Sequence, residues 1–150
     1  MNAGPAISFD VIGSPSPQGS KRSIGNNVFI ETSKGLKPWR NAVAAQARVE
    51  MGRMLPLSGP LHLTVQFRFP MPQSRPAAIR RAGLGPKTTT PDLDKLVRAV
   101  GDALKEGGMV RDDALFCELT ASKVEVDGWS GASVTVSYSD VGAPDSVGGA

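Results

Sequence analysis

The sequence predicts a single α+β domain in which two main helices pack against a mixed or antiparallel sheet. Its 150 residues suit one compact core and are too few for two independent ones. Apolar residues recur with a helical period in two segments and with a strand period in others, and the predicted elements follow the order β-β-α-β-α-β-β. We place the domain at residues 1–138 and expect residues 139–150, which are mostly small and polar, to form a disordered tail.

The first half of the chain is predicted to hold three strands and one helix. Residues 6–12 alternate in part, and both they and Val28–Glu31 favour short strands. The segment from Pro38 to about Met54 is rich in Ala, Arg and Gln and predicts a helix. Its apolar residues recur every four positions as Trp39, Val43, Ala47 and Met51. Residues 61–69 alternate between apolar and polar side chains and predict the clearest strand of the chain.

The second half is predicted to hold one helix and two strands. From Pro91 the apolar residues follow helical spacing until Gly107 and Gly108 end the helix. Residues 114–126 and 133–138 have the pattern of strands. We expect these two strands to complete the sheet against which both helices pack.

Charge is distributed unevenly along the chain. Residues 1–90 contain twelve Lys and Arg against three Asp and Glu, a net charge of +9, whereas residues 91–150 contain five against eleven, a net charge of −6. This asymmetry suggests one surface that binds a polyanion and another that concentrates carboxylates, and a nuclease requires both. The alternative that charge alone leaves open is an accidental surface composition.

Several protein classes are excluded by composition. The single cysteine, Cys117, rules out an internal disulfide and a Cys-rich zinc site. No stretch approaches the roughly 18 consecutive apolar residues of a membrane span, and the N-terminus lacks the features of a signal peptide. We therefore expect a cytoplasmic protein with no membrane partner and no organic cofactor.

Two loops carry clusters of basic residues. The first is rich in Ser, Pro and Gly, follows the first strand and contains Lys21 and Arg22. The second spans residues 70–90, and a loop of this length is usually functional or disordered. Its basic residues are Arg75, Arg80, Arg81 and Lys87. This second loop is either a mobile clamp on DNA or a solvated linker.

Two pairs of carboxylates form the candidate site. Asp92 and Asp94 lie at the start of the second main helix, where Pro91 favours extended backbone and both side chains can converge. Asp112 and Asp113 follow the Gly-Gly turn that brings the chain back. Clustered carboxylates repel one another unless a cation compensates, and hard oxygen ligands favour magnesium or manganese. The pattern indicates metal-dependent phosphodiester hydrolysis, although acidic residues at helix starts also serve capping and dipole roles.

Arg98 lies four residues after Asp94 and four before Asp102, so all three share one helix face. Its guanidinium either contacts the scissile phosphate or belongs to a solvated ladder of i, i+4 salt bridges. The other candidate nucleophiles, His62 and Cys117, lie in predicted strands and are expected to be structural.

The run from Pro91 to Lys123 resembles the core of the RusA-type endodeoxyribonucleases, Holliday-junction resolvases that are often found in phages and prophages. The shared pattern is an Asp-Leu-Asp opening, a helix with a second aspartate, a short turn, an Asp-Asp pair and a strand ending in lysine. The segments GSPSPQGSKR and Pro38-Trp39 resemble the family's N-terminal region more weakly. The resemblance implies a RusA-like domain that cuts four-way junctions or other branched DNA during recombination and repair.

The resemblance also implies roles for single carboxylates. Asp92, Asp94 and Asp113 match the family's metal-binding residues, which take Mg²⁺ with Mn²⁺ as a substitute. Asp112 becomes a neighbour of the metal site, and Asp102 matches a helical aspartate to which no role is assigned.

Two positions depart from the family pattern. Arg98 stands where the family has a lysine important for catalysis, and Lys95 stands where it usually has asparagine. Arginine keeps the charge but presents a wider planar fork, so phosphate contact is retained as an expectation while identical geometry is not.

The resemblance implies two partners, branched DNA and a second copy of the chain in a homodimer. The basic residues expected to contact DNA are Lys21, Arg22, Arg75, Arg80, Arg81, Lys87, Lys95, Arg98 and Lys123. The alternative function is a junction-binding protein of the same fold with weak or no catalysis, which the departures at Lys95 and Arg98 motivate.

Overall fold

The structure is a computed structural model that describes residues 6–19, 21–25, 28–31 and 34–144. In this part of the chain it confirms the predicted α+β architecture, with one mixed sheet and two main helices. The strands are β1 (Ile7–Ile12), β2 (Lys21–Gly25), β3 (Val28–Glu31), β4 (Leu61–Pro70), β5 (Leu84–Pro86), β6 (Phe116–Val126) and β7 (Gly131–Tyr138). The helices are α1 (Leu36–Met51), α2 (Ala77–Ala82) and α3 (Leu93–Glu106), and a 3₁₀ turn covers Asp113–Leu115.

Five strands form the main sheet in the order β1-β7-β4-β6-β5, while β2 and β3 form a separate hairpin. All neighbours in the main sheet are antiparallel except β4 and β6, which are parallel. The parallel pair is reached through the crossover that contains α3, as parallel neighbours require. This crossover carries the candidate carboxylates.

One face of the sheet is apolar and is covered by α1 and α3. The alternation of β4 places Leu61, Leu63, Val65 and Phe67 on this face, and each is at most 2% exposed. The opposite face is polar, with hydrogen bonds between side chains such as His62 Nε2 and Thr120 Oγ1 at 2.9 Å. The core therefore lies on one side of the sheet only.

The Gly107-Gly108 pair ends α3 where it crosses α1. A Cβ on Gly107 would lie 2.6 Å from the Ala44 carbonyl oxygen and 2.9 Å from the Ala47 Cβ, so only glycine allows this close approach. Gly108 then adopts a φ of 76°, in the left-handed region that favours glycine. The chain turns there toward Asp112.

The predicted loop at residues 70–90 contains two elements that the sequence pattern missed. Helix α2 has only six residues and buries none of them, so it shows no apolar stripe. Strand β5 has three residues, including Gly85 and Pro86, and pairs with β6 at the edge of the sheet. Strand β2 was also missed, because its sequence KRSIG does not alternate.

The segment after β7 continues to contact the domain. The Ser139 amide donates to the Pro60 carbonyl at 2.9 Å, and its hydroxyl donates to Glu118 Oε1 at 2.7 Å. Residues 145–150 of the expected tail lie outside the described residues. Among the helices of the described residues, none has the length and apolar character to cross a membrane.

Candidate active site

Asp92 and Asp94 lie at the N-terminus of α3 with their carboxylates exposed to solvent. Asp92 is the N-cap residue and has extended backbone (φ −66°, ψ 138°), as Pro91 predicts, but its side chain makes no capping hydrogen bond. Asp94 Oδ1 accepts only from the next backbone amide, that of Lys95, at 3.0 Å. Capping of the helix therefore does not account for Asp92.

Asp112 has a structural role at the start of the 3₁₀ turn. Its Oδ1 accepts from the Ala114 amide at 3.1 Å and lies 3.7 Å from the Lys105 ammonium. The Ala114 hydrogen bond, followed by one with Asp113 and the charge of Lys105, lowers the pKa of Asp112. These contacts fit its expected position as a neighbour of the site.

Asp113 is half-buried against α3. The Asp113 Cβ lies 3.8 Å from the position that a Cβ of Gly101 would occupy, so the absence of a side chain there lets the 3₁₀ turn approach the helix. Hydrogen bonding with Asp102, burial and the neighbouring Asp112 raise the pKa of Asp113. On α3, the carboxylate that raises this pKa is Asp102, whereas neither Asp92 nor Asp94 contributes to the shift.

The loop after β1 crosses this same face of α3. Gln18 donates its backbone amide to the Lys95 carbonyl at 3.0 Å and its side-chain Nε2 to Asp102 Oδ2. Gly19 lies beside Arg98, since a Cβ there would be 3.3 Å from Arg98 Nη1. Gln18 was not identified from the sequence, because no spacing rule relates it to a carboxylate 84 residues away. It joins the N-terminal loop to the acidic site.

Arg98 is exposed and forms no ion pair with any described residue. The salt-bridge ladder with Asp94 and Asp102 is therefore not formed. Arg98 and Asp113 instead line one open cavity of about 350 Å³ between α3 and β6. Its apolar wall includes Leu63, Val97, Phe116 and Leu119. A guanidinium that forms no ion pair among the described residues and lies next to a carboxylate is well placed to contact an anionic substrate.

The other basic residues predicted to contact DNA differ in whether their charged groups already contact other groups of the protein. Arg80 and Arg81 are exposed on α2, and Arg80 contacts Gln73 at 3.2 Å. The Lys87 ammonium donates to Thr89 Oγ1 at 3.0 Å and lies 4.9 Å from the centre of the Phe69 ring. These side chains present positive charge on the segment between β4 and α3.

The remaining basic residues are engaged within the protein or not described. The Lys95 ammonium lies 3.9 Å from Asp92 Oδ2. Arg75 forms a bidentate pair with the buried Glu125, and Lys123 binds two backbone carbonyls. Lys21 and Arg22 belong to β2, but their side chains lie outside the described part of the structure.

Cys117 is exposed, which corrects its predicted place on a buried strand face. The pairing of β4 with β6 steps from Phe116 to Glu118, so a bulge at Cys117 breaks the alternation. His62 is hydrogen-bonded to Thr120 on the polar sheet face, away from the carboxylates of α3.

The carboxylates have the donor chemistry that magnesium requires. Within the described ranges, no three His, Cys, Asp or Glu side chains converge closely enough to bind a metal ion. The repulsion between Asp102 and Asp113 is nevertheless of the kind that a divalent cation relieves, and the carboxylates of Asp92 and Asp94 are exposed. The donor chemistry of these residues therefore fits a hard cation.

The site combines the Asp102–Asp113 carboxylate pair with the exposed guanidinium of Arg98 on an α+β domain. The family model described as Endodeoxyribonuclease RusA matches residues 12–137 of the chain. The chain therefore belongs to the RusA endodeoxyribonuclease family, as its sequence resemblance indicated, and this membership supports a Holliday-junction-resolving endonuclease. It is also 32% identical over 127 residues to the uncharacterized protein YqaN of Bacillus subtilis (strain 168), covering 78% of this chain and 86% of that protein.

Proposed function

We propose that this protein is a magnesium-dependent, structure-selective endodeoxyribonuclease that hydrolyses phosphodiester bonds in four-way junctions or other branched DNA. The observation that carries the proposal is that Asp113, whose pKa the neighbouring Asp102 raises, lines the same cavity as the Arg98 guanidinium, which forms no ion pair with any described residue. Two crowded carboxylates are destabilised unless they share a proton or bind a cation. Because the chain belongs to a family of endodeoxyribonucleases, we propose that the carboxylates bind a cation and do not share a proton.

Each acidic residue of the site has a proposed role. Asp92, Asp94 and Asp113 hold the Mg²⁺ ion, and Mn²⁺ substitutes for it. When bound, the ion supplies an activated water and stabilises negative charge on the phosphate. Asp102 lies beside Asp113 and raises its pKa, and Gln18 fixes Asp102 through its amide group. The aspartates act as ligands only in their ionised form.

Arg98 assists at the scissile phosphate, because its exposed guanidinium lines the same cavity as Asp113. Its fork donates two parallel hydrogen bonds to phosphate oxygens, whereas a lysine offers a single point charge. The exposed arginines Arg80 and Arg81 of α2 contact the DNA backbone. Lys21, Arg22, Lys87 and Lys95 are proposed to extend this contact.

We also propose that two copies of the chain form a homodimer in the bacterial or phage-infected cytoplasm. A two-fold axis would place two sites on opposed strands of a four-way junction, so the symmetry of protein and substrate would correspond. Light scattering of the purified protein tests this, since a single-chain mass at all concentrations contradicts it.

The test of the metal assignment is the Asp94→Asn variant. With Mg²⁺ it should cut a synthetic four-way junction at least about 100-fold more slowly than the wild type, because a metal ligand is removed. Its junction affinity in EDTA should be unchanged, since the side chain contacts no DNA. Matched reactions with linear duplex, Mn²⁺ or EDTA report selectivity and metal dependence, and wild-type cleavage by the variant would refute the assignment.

The second candidate is a junction-binding protein of the same fold with weak or no catalysis. It is favoured by the separation of Asp92 and Asp94 from Asp113 and by the departures at Lys95 and Arg98. This candidate predicts junction binding in EDTA and no cleavage on addition of Mg²⁺ or Mn²⁺. The Arg98→Lys variant, which restores the family's residue, would then gain cleavage.

A further inference from the structure

Two charged residues lie on the apolar side of β6. In the register with β4, Lys123 is opposite the fully buried Phe67, and Glu125 is opposite Phe69. Side chains opposite one another in neighbouring strands share a face of the sheet. Both charges therefore face the helix side of the sheet. A charge buried there is costly unless it is paired or hydrogen-bonded.

The partners of these charges lie in the segment between β4 and α3. Glu125 pairs with Arg75, and the Lys123 ammonium donates to the carbonyl oxygens of Thr89 and Pro91 at 2.6 and 2.7 Å. The Lys123 carbonyl in turn accepts from the Lys87 amide at 3.2 Å. Lys123 thus makes three hydrogen bonds to residues 87–91, and two of them are short and charge-assisted.

These bonds end one residue before the candidate metal site. Pro91 precedes Asp92, whose carbonyl accepts the first hydrogen bond of α3 from the Leu96 amide at 3.1 Å. The position of the Pro91 carbonyl therefore fixes the direction in which the chain enters the helix. It also fixes where the Asp92 and Asp94 side chains begin.

A contact with DNA would use the Lys123 ammonium differently. An ammonium has three N–H donors, and two of them are taken by backbone carbonyls of the protein. Only the third donor remains for a phosphate, and movement of the ammonium onto DNA would leave two carbonyls without these partners. The geometry therefore separates Lys123 from exposed cations such as Arg80 and Arg81.

We propose that Lys123 is a positioning residue of the nuclease site, whose ammonium holds the Thr89–Pro91 segment so that Asp92 and Asp94 are presented to the metal ion. This inference rests on the proposed function. It replaces the expectation from the sequence that Lys123 contacts DNA. A lysine fits because its long stem reaches the backbone of residues 89–91 from the strand, while its compact ammonium serves both carbonyls.

The test compares Lys123→Met, Lys123→Arg and the control Lys37→Met. Lys37 is exposed on α1, so its substitution removes the same charge outside the site. Lys123→Met should lower kcat for junction cleavage about 10- to 100-fold, the usual range for residues that orient metal ligands. KM and junction affinity in EDTA should stay near wild type. Lys123→Arg, which retains donors, should recover part of the activity, and Lys37→Met should match the wild type.

Two measurements on the DNA-free protein keep this test independent of the proposed nuclease activity. Binding of Mn²⁺, followed by electron paramagnetic resonance, should weaken about 10- to 100-fold in Lys123→Met. Amide hydrogen exchange of residues 92–97 should become faster in that variant alone. If the wild type binds Mn²⁺ but does not cut DNA, the proposed function fails and the positioning role is still tested.

The opposite pattern would overturn the inference. It consists of unchanged kcat and Mn²⁺ binding in Lys123→Met, with weaker junction binding and a salt dependence reduced by about 0.9, the value for one phosphate contact. Should Lys123→Met fail to fold by circular dichroism, Lys123→Gln retains one donor group and is measured in its place. Wild-type values of kcat, Mn²⁺ binding and hydrogen exchange in Lys123→Gln would equally refute the role.

Discussion

At the scale of single residues, Asp112 and Asp113 are adjacent in sequence but opposite in electrostatic environment. The Ala114 amide and Lys105 favour the charged form of Asp112, which lowers its pKa. Asp102 and burial disfavour the charged form of Asp113, which raises its pKa. Neighbouring carboxylates with divergent proton affinities commonly mark a functional site. Here they separate the residue that stabilises the turn from the residue proposed to bind metal.

This difference predicts opposite effects of substitution on stability. Asp113→Asn should raise the melting temperature at pH 7 by about 1–2 °C, since a partly exposed like-charge repulsion is removed. Asp112→Ala should lower it, because the variant has neither the cap nor the ion pair. Thermal unfolding of both variants in EDTA measures the two shifts.

The pH dependence follows from the sign of each pKa shift. The raised pKa of Asp113 means that its repulsion is absent below its ordinary value of 3.8 and develops as pH rises through the folded value. The stabilisation by Asp113→Asn should therefore vanish in acid. The lowered pKa of Asp112 means that its contribution is present above 3.8 and disappears as pH falls. A stabilisation by Asp113→Asn that persists in acid would contradict this account.

At the scale of elements, two charged side chains of β6 hold the segment between β4 and α3, in addition to the pairing of β5 with β6. Lys123 binds its C-terminal end, and Glu125 binds Arg75 near its N-terminal end through hydrogen bonds of 2.6 and 2.7 Å. The Glu125 carboxylate is buried, and its hydrogen bond with Arg75 lowers its pKa. Helix α2, which buries no residue of its own, depends on these attachments and on its contact with β5 for its position.

Removing Arg75 should destabilise the protein, because it leaves a buried carboxylate without its partner. Arg75→Ala should lower the melting temperature by several degrees at pH 7, and adding Glu125→Gln should recover part of that stability. Arg81→Ala, an exposed arginine of the same segment, serves as the control and should change little. Since the Glu125 pKa is lowered, the wild-type advantage over Arg75→Ala should shrink as pH falls below about 4.5. Equal stability of Arg75→Ala and wild type would show that the pair contributes nothing.

The sequence predicted the elements that bury an apolar face. Helix α3 and strand β4 follow the periods of 3.6 and 2 because one side of each contacts the core. Helix α2 and strand β5 show no such period, because their positions depend on charged and backbone contacts and not on a buried apolar face. The pairing of Arg75 with Glu125 spans 50 residues, so no local pattern could indicate it.

In the candidate site, the sequence likewise predicted the acidic residues but not the groups that contact them. The Asp-Leu-Asp and Asp-Asp motifs located the carboxylates, and the resemblance selected among them. The partners of Asp102 and Lys123 were not predictable, because one is a distant amide side chain and the other is backbone carbonyl oxygen. Backbone acceptors are present at nearly every residue and leave no signal in a sequence.

At the scale of the whole molecule, the excess of positive charge in residues 1–90 is either a DNA-binding surface or a surface composition without function. The structure offers a direct comparison, because exposed cations lie both on α2 and on α1. A phosphate contact releases counterions, whereas a distant cation alters only the general field.

Junction binding in EDTA should therefore weaken steeply with salt, and the double variant Arg80→Ala/Arg81→Ala should reduce the slope of log affinity against log salt by about 0.9 for each phosphate that is no longer bound. The control Lys37→Ala/Arg53→Ala removes the same charge from exposed positions on and just after α1 and should leave the slope unchanged. Electrophoretic mobility shifts over a range of salt concentrations measure both. Equal slopes in the two variants would show that the charge of α2 has no special relation to DNA. A reduced slope for the Arg80→Ala/Arg81→Ala variant alone would place the DNA beside the segment between β4 and α3, which Arg75 and Lys123 hold against β6.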